Sequence, residues 1–185
     1  MNHFDLMASV YDQLIGTPDL TRLCETLKLP TGGWMLDGGG GTGRISSRLR
    51  DLAGKLVISD LSLQMLKRAQ GKGDLLPVQS HVERLPFRDG SFERVLVVDA
   101  LHHFCDQREA ISDLLRVLKP GGRLVIEEPN INHLAVRMVA LAEKLALMHS
   151  HFYSPAEIRD MIAKHDLSPY IKRAGRFAVW IVVDK

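Results

Sequence analysis

The residues best suited to chemistry in this chain stand together at Trp34-Met35-Leu36-Asp37-Gly38-Gly39-Gly40-Gly41-Thr42-Gly43-Arg44. An apolar run reaches a carboxylate, breaks into five glycines, and resumes as Ile45-Ser46-Ser47-Arg48-Leu49-Arg50-Asp51-Leu52, where Ile45, Leu49 and Leu52 share one helical face. Strand, glycine turn and helix bring bare backbone amides against a ligand. Glycine reaches positive φ cheaply and has no Cβ to hold the ligand away.

Two ligands compete for such a turn. Gly38, Gly40 and Gly43 satisfy the dinucleotide pattern G-x-G-x-x-G, but a glycine cluster satisfies many patterns. Asp37, Gly39, Gly41 and Gly43 satisfy D-x-G-x-G-x-G instead. A carboxylate at that position repels a pyrophosphate and attracts an ammonium group, which favours S-adenosylmethionine (SAM) over NAD.

Other candidate residues follow at strand ends. Lys55-Leu56-Val57-Ile58-Ser59 ends in Asp60, at about the 20-residue spacing where an acid meets ribose hydroxyls. Both ligands carry ribose, so Asp60 does not choose between them, and it doubles as a helix N-cap candidate. Arg94-Val95-Leu96-Val97-Val98 reads as a strand buried on both faces, ending at Asp99-Ala100-Leu101-His102-His103. Asp99 and both histidines therefore fall where ligands collect in parallel sheets. His102 and His103 are the candidate bases, with His102 favoured, if the acceptor must lose a proton. Each also reads as a packing or capping histidine. His149 and His151 have no further ligand cluster and do not suggest a metal.

The elements that must position these residues are legible by period and punctuation. Residues 1–30 read as helical cover, with Thr17-Pro18 as a start signal and Leu20, Leu23, Cys24 and Leu27 as an apolar face. Phe4–Asp12 reads as a lid segment. Leu76–Ser80 is a weak third strand, its Pro77 implying a start or an edge. Asp106-Gln107-Arg108-Glu109 suggests a capping box, opening a helix that Lys119-Pro120-Gly121-Gly122 ends. Arg123–Glu128 is a fifth strand. Residues 131–148 are apolar on most faces, with Met138, Leu141 and Leu145 suited to core, substrate wall or subunit contact. Ser154-Pro155-Ala156-Glu157 opens another helix. Ser168–Arg173, the Ala174-Gly175-Arg176 turn and Phe177–Val183 form a hairpin. The expectation is one α/β domain over 1–185: a Rossmann-like, seven-stranded, mostly parallel sheet with helices on both faces and a C-terminal antiparallel hairpin.

Composition bounds the rest. The chain has 185 residues, 45% hydrophobic and 25% charged, with net charge +2. That charge gives no nucleic-acid footprint, and Lys172, Arg173 and Arg176 read as a solvated hairpin tip. Cys24 and Cys105 are unpaired thiols and no apolar signal core precedes Asp5, which favours a cytoplasmic protein. No run suggests a transmembrane helix. Tyr11, Tyr153 and Tyr170 lack the Tyr-x-x-x-Lys spacing of small dehydrogenases.

With these residues in view, the chain resembles class I SAM-dependent methyltransferases, close to the ubiquinone/menaquinone C-methyltransferases. The resemblance rests on six kinds of segment in order: Phe4-Asp5…Tyr11-Asp12, Leu36–Arg44, Asp60-Leu61-Ser62, Leu85-Pro86-Phe87…Leu101-His102-His103, Arg116–Gly122 and Phe152–Glu157. It implies that Asp37, Gly39, Gly41 and Gly43 surround the methionine part of SAM. Asp60 and Leu61 would meet the ribose, while His81, Val82 and Glu83 would flank the adenine. His81 departs from the Asp or Asn usual there, and Asp99 stands where the family often has a small or polar residue, beside the cofactor. Gly38 and Gly40 stand where the family tolerates bulkier residues, which implies a mobile turn. The acceptor implied is a small, partly apolar molecule, under a short cap at 131–153 that is small or completed by a second subunit in a homodimer. The alternative is a SAM- or S-adenosylhomocysteine-binding module or subunit without turnover.

Overall fold

The computed structural model describes residues 18–145 and 150–185. Its centre is a seven-stranded sheet: β1 (Thr31–Gly38), β2 (Ala53–Asp60), β3 (Leu75–Gln79), β4 (Phe92–Val98), β5 (Leu118–Pro129), β6 (Tyr170–Arg173) and β7 (Ala178–Asp184). The order is β3-β2-β1-β4-β5-β7-β6. β1 to β5 pair in parallel, and β7 enters antiparallel between β5 and β6. Pro77 lies on edge strand β3, where a missing N–H costs no ladder bond on the open side.

Helices cover both faces because the middles of the central strands, Met35–Leu36, Leu56–Ile58, Val95–Val97 and Leu124–Ile126, are apolar at successive positions and buried, so neither face there can meet water. Leu23 and Leu27 of α1 (Leu20–Leu27), Leu49 of α2 (Ser46–Leu49), and Leu66 and Ala69 of α3 (Leu63–Gln70) pack on Met35, Leu56, Ile58, Leu96 and Trp180. On the other face, Ile111 and Leu114 of α4 (Gln107–Val117) pack on Leu36, Val95, Val97 and Ile126. Ile158 and Ile162 of α6 (Pro155–Ala163) join them. Alternate residues of one strand thus serve opposite cores.

Several local expectations change. The helix after the glycine turn is one short turn, and Arg50–Leu52 continue as a 3-10 turn straight into β2. Asp19 caps α1 by accepting from Arg22 N–H at 3.1 Å, so Pro18 precedes the cap; Thr17 and the Phe4–Asp12 segment lie outside the described residues. Ser62, not Asp60, caps α3 through Met65 N–H. Asp106 caps α4 by accepting from Arg108 and Glu109 N–H, but its own N–H donates to Glu83 rather than to Glu109. Lys119–Gly122 do not separate helix from strand. β5 begins at Leu118, and a register shift against β4 absorbs the glycines. The Ser154 capping box on α6 is present in full.

α5 (Leu134–Leu145) opens the 131–153 segment. Leu134, Met138 and Leu141 are at least half exposed, so this face is not core; Val136 alone among its described side chains is buried. The side chain of Leu145 lies outside the described ones.

Candidate active site

β1 is flanked by β2 on one side and β4 on the other, which makes the carboxyl ends of these strands the point where the sheet order reverses. A cleft opens there. Of the residues singled out from sequence, Gly39, Gly41, Asp60, Leu61, His81, Val82, Glu83, Asp99 and His103 line it together. Asp37, Gly43 and His102 do not. Met65, Ser80, Ala100, Phe104 and Cys105 complete the wall.

The glycine turn is fastened to β2 from below. Gly39 and Gly40 N–H donate to Ser59 O at 2.7 and 3.2 Å, and Gly41 N–H donates to Asp60 Oδ2 at 2.9 Å. Asp60 Oδ1 accepts from Ser62 N–H at 2.8 Å. One carboxylate therefore joins the turn to the start of α3 while standing on the cleft wall. The glycines differ in purpose. Gly41, at φ +56°, has open space around an added Cβ, whose nearest neighbour is Asp60 Oδ2 at 4.0 Å. Gly40 has none: a Cβ there would lie 2.7 Å from Asp37 Oδ2 and Ile58 Cγ2. A Cβ on Gly43 would stand 3.0 Å from Ile58 and Leu75. Gly40 thus leaves no room for the bulkier residues the family tolerates, and the turn is close-packed underneath.

Asp37 sits below the turn. It is 3% exposed and Oδ2 accepts from Ser46 Oγ at 2.6 Å. Burial pushes its carboxyl up to about 6, against the Ser46 bond, which pulls it down. It borders a small side recess, shared with Gly39, Gly41, Thr42 and Arg44, that adjoins the main cleft.

The β3 side of the cleft is closed by a buckle. Glu83 Oε1 accepts from Cys105 N–H at 2.8 Å and Asp106 N–H at 3.3 Å, tying the segment after β3 to the segment after β4. His81 Nδ1 lies 3.7 Å from Glu83 Oε2 with its side chain 57% exposed, so it occupies the rim. Ser59 and Ser80 hydroxyls meet at 2.8 Å and link β2 to the same wall.

The β4 side holds the densest charge. Asp99 takes a left-handed φ of +54°, unfavourable for a residue with a Cβ, so its surroundings must impose it. They do so from both ends. Asp99 N–H donates to Glu127 O at 2.9 Å, and Glu128 Oε1 accepts from Ala100 and Leu101 N–H at 3.1 and 2.8 Å. Glu128 Oε2 meets His102 Nδ1 at 2.7 Å. His102 is 3% exposed and stacks on Phe152 at 4.2 Å, so this candidate base lies behind the cleft wall rather than on it. His103 faces the cleft, with Nδ1 3.0 Å from Ser150 Oγ. Glu127 accepts from Trp180 Nε1, and burial raises its carboxyl to about 7. Arg44 lowers Asp37, Asp99 and Glu127 alike but does not offset the burial that raises all three, and His102 lowers Asp99 more than Arg44 does.

Glu127 and Glu128 were not singled out from sequence. Their signal was there: two carboxylates ending an otherwise buried strand, in register with the residues before Asp99.

Residues 150–153 dock onto this wall. His151 N–H donates to His102 O at 2.8 Å, and Gln107 Nε2 donates to His151 O at 2.5 Å. Among the described residues no cluster of side chains could hold a metal ion, and no helix is long and apolar enough to cross a membrane.

Comparison with known proteins gives this geometry a family. A family model described as a methyltransferase domain matches residues 36–126, from the apolar half of β1 to the middle of β5. The ubiquinone/menaquinone biosynthesis C-methyltransferase of Pseudomonas paraeruginosa is 39% identical over 108 residues, 53% of this chain and 42% of that protein. Its counterpart in Hahella chejuensis is 34% identical over 142 residues, covering 68% and 57%. The chain thus spans about half the length of the curated relatives it matches. A SAM-dependent methyltransferase of Thermotoga maritima superposes with TM-score 0.82 over 98% of this chain and 97% of its own, at 21% identity, a likeness of fold. Sheet order, glycine turn and matched domain agree: residues 36–126 match a methyltransferase domain, and the fold is that of SAM-dependent methyltransferases.

Proposed function

We propose that this cleft binds SAM and that the chain transfers its methyl group to a small, partly apolar acceptor. The observation that carries the reading is the charge around the glycine turn. Asp60 bonds the turn itself, Asp37 lies beneath it and Asp99 stands across from it. A pyrophosphate there would meet three carboxylates, and the helix that would steady it is only four residues long. The sulfonium and ammonium of SAM suit the same surroundings. The open space at Gly41 fits a ligand lying directly on backbone.

In this reading Gly39, Gly41 and the Asp37 side cavity receive the amino-acid end. Asp60 retains lone pairs for ribose hydroxyls beside Leu61, while Ser80, His81 and Val82 flank the adenine. Gly43 acts through packing. When bound, SAM supplies an already activated methyl group, so the protein's work is alignment and exclusion of water. His103, Phe104 and Asp99 face the transfer point. α5 and residues 150–153 cap it, with the exposed Leu134, Met138 and Leu141 face as an apolar wall for the acceptor. The quinone-pathway names of the relatives favour a reduced aromatic ring as acceptor.

The test is methyl transfer from radiolabelled SAM to a panel of one naphthoquinol, one catechol, one alkylamine and one aryl carboxylate. Transfer to the quinol or the catechol supports the reading. SAM binding with silence across the panel favours a binding module or subunit instead.

A further inference from the structure

Among the described residues, six carboxylates surround the cleft, and five of them are engaged. Asp37 takes the Ser46 hydroxyl, Asp60 the amides of Gly41 and Ser62, and Glu83 those of Cys105 and Asp106. Glu127 takes the Trp180 indole, and Glu128 takes two amides and the His102 ring. Asp99 differs: it is half-buried and lines the cleft, and among the described residues its carboxylate accepts no hydrogen bond, so its oxygens stay open to the cleft. A carboxylate that faces the cleft with no donor from the described protein groups keeps its lone pairs for a ligand's N–H or O–H. The backbone around it is nonetheless tightly specified, because Glu127 O and the Glu128 carboxylate hold the amides on both sides of its left-handed turn.

We infer that Asp99 is a catalytic residue, the proton acceptor for a methyl acceptor that presents a hydroxyl or amine proton, and that the buried His102–Glu128 pair tunes it. The inference rests on the methyl-transfer reading of the cleft. As the methyl carbon's bond to sulfur breaks, its electron pair stays on sulfur. The acceptor's oxygen or nitrogen forms the new bond to that carbon, or passes its electrons through an aromatic ring to a carbon that does. The proton released goes to Asp99, leaving a neutral carboxylic acid and neutral S-adenosylhomocysteine. A carboxylate or phosphate acceptor would bring a second anion against Asp99 and is selected against.

The groups facing Asp99 come from three elements. His102 lies on its own turn, Glu127 and Glu128 end β5, and Arg44 follows the glycine turn. Burial raises the Asp99 carboxyl, His102 opposes that shift, Glu128 adds to it and Arg44 opposes it. A proton acceptor placed nearer neutral pH is a better base there. His102→Asn keeps a donor for Glu128 but removes the charge, so it moves the titration of Asp99 to higher pH.

The experiment compares unaltered protein, Asp99→Asn and His102→Asn. It measures affinity for S-adenosylhomocysteine by calorimetry, the Asp99 carboxyl carbon in that complex by NMR across pH, and transfer to the catechol and naphthoquinol probes. Asp99→Asn keeps its fold and its S-adenosylhomocysteine affinity while transfer falls by roughly 100-fold or more. His102→Asn moves both the NMR titration and the acid limb of the rate profile upward together. Transfer by Asp99→Asn at the unaltered rate, or an unmoved acid limb in His102→Asn, overturns the inference. Silence of the unaltered protein on every probe overturns the methyl-transfer reading beneath it, and is told apart because no variant is then needed to see the failure.

Discussion

Asp37 carries opposed demands at the residue scale. Its folded carboxyl titrates near 6 against an ordinary 3.8, so the fold prefers its protonated form. The stability this group contributes is fully present below pH 3.8 and is lost as pH rises through 6. At pH 8 the buried anion therefore costs on the order of 3 kcal/mol. Asp37→Asn is expected to melt several degrees above the unaltered protein at pH 8 and near it at pH 4, while binding SAM more weakly at pH 8; thermal unfolding and calorimetry at the two pH values check both. An unchanged melting temperature at pH 8 would contradict the assigned burial. Much of this site was legible residue by residue. Gly39, Gly41, Asp60 and Asp99 announce themselves by residue type at strand ends. Asp37 was legible as a carboxylate but not as a buried one, because its depth depends on Ser46 and Ile58 arriving beneath the turn. Glu127 and Glu128 read as the polar end of a strand until Ala100, Leu101, His102 and Trp180 are brought to them.

At the scale of elements, two segments of the family signature turn out to meet each other rather than the cleft. Arg116 on α4 donates to Leu85 O at 3.0 Å, Phe87 O at 2.8 Å and Asp89 Oδ1 at 2.8 Å, and is steadied by Asp113 at 2.6 Å. Asp113 in turn accepts from Leu85 N–H at 2.6 Å. Arg116→Ala strands two carbonyls and is expected to cost roughly 1–3 kcal/mol of stability with little change in SAM affinity, measured by denaturant unfolding and calorimetry. Within the turn, Gly40→Ala is expected to destabilise by about 1–3 kcal/mol, since its Cβ meets Asp37 and Ile58. Gly41→Ala is expected to cost only about 1 kcal/mol from its positive φ and to be felt mainly in ligand affinity. Periodicity and turn signals located the seven strands and the α-helices, but not the 3-10 turns at Val82–Arg84 and Leu101–His103, which are too short to show a period. Periodicity overestimated the helix after the glycines, since Leu49 and Leu52 fit a helical face whether the chain continues as α-helix or tightens into a 3-10 turn.

For the whole molecule, the hairpin was legible but its insertion was not: β7 pairs with β5 along Arg123 to Pro129, which puts it inside the sheet and leaves β6 as the edge. Arg123 and Asp184 lock that register with a two-pronged ion pair at 2.6 and 2.7 Å. The 131–153 segment was the least legible, because an apolar helix can be core or wall; exposure of Leu134, Met138 and Leu141 removes core. Met138→Gln with Leu141→Gln is expected to leave stability within about 0.5 kcal/mol while weakening use of an apolar acceptor, read as a higher KM for the naphthoquinol. The account as a whole stands on which ligand the cleft takes. Side-by-side calorimetric titration with SAM and NADH tests that most directly. One SAM per chain, weakened by Asp60→Ala and undisturbed by excess NADH, is the outcome expected; NADH binding that SAM cannot displace would contradict it.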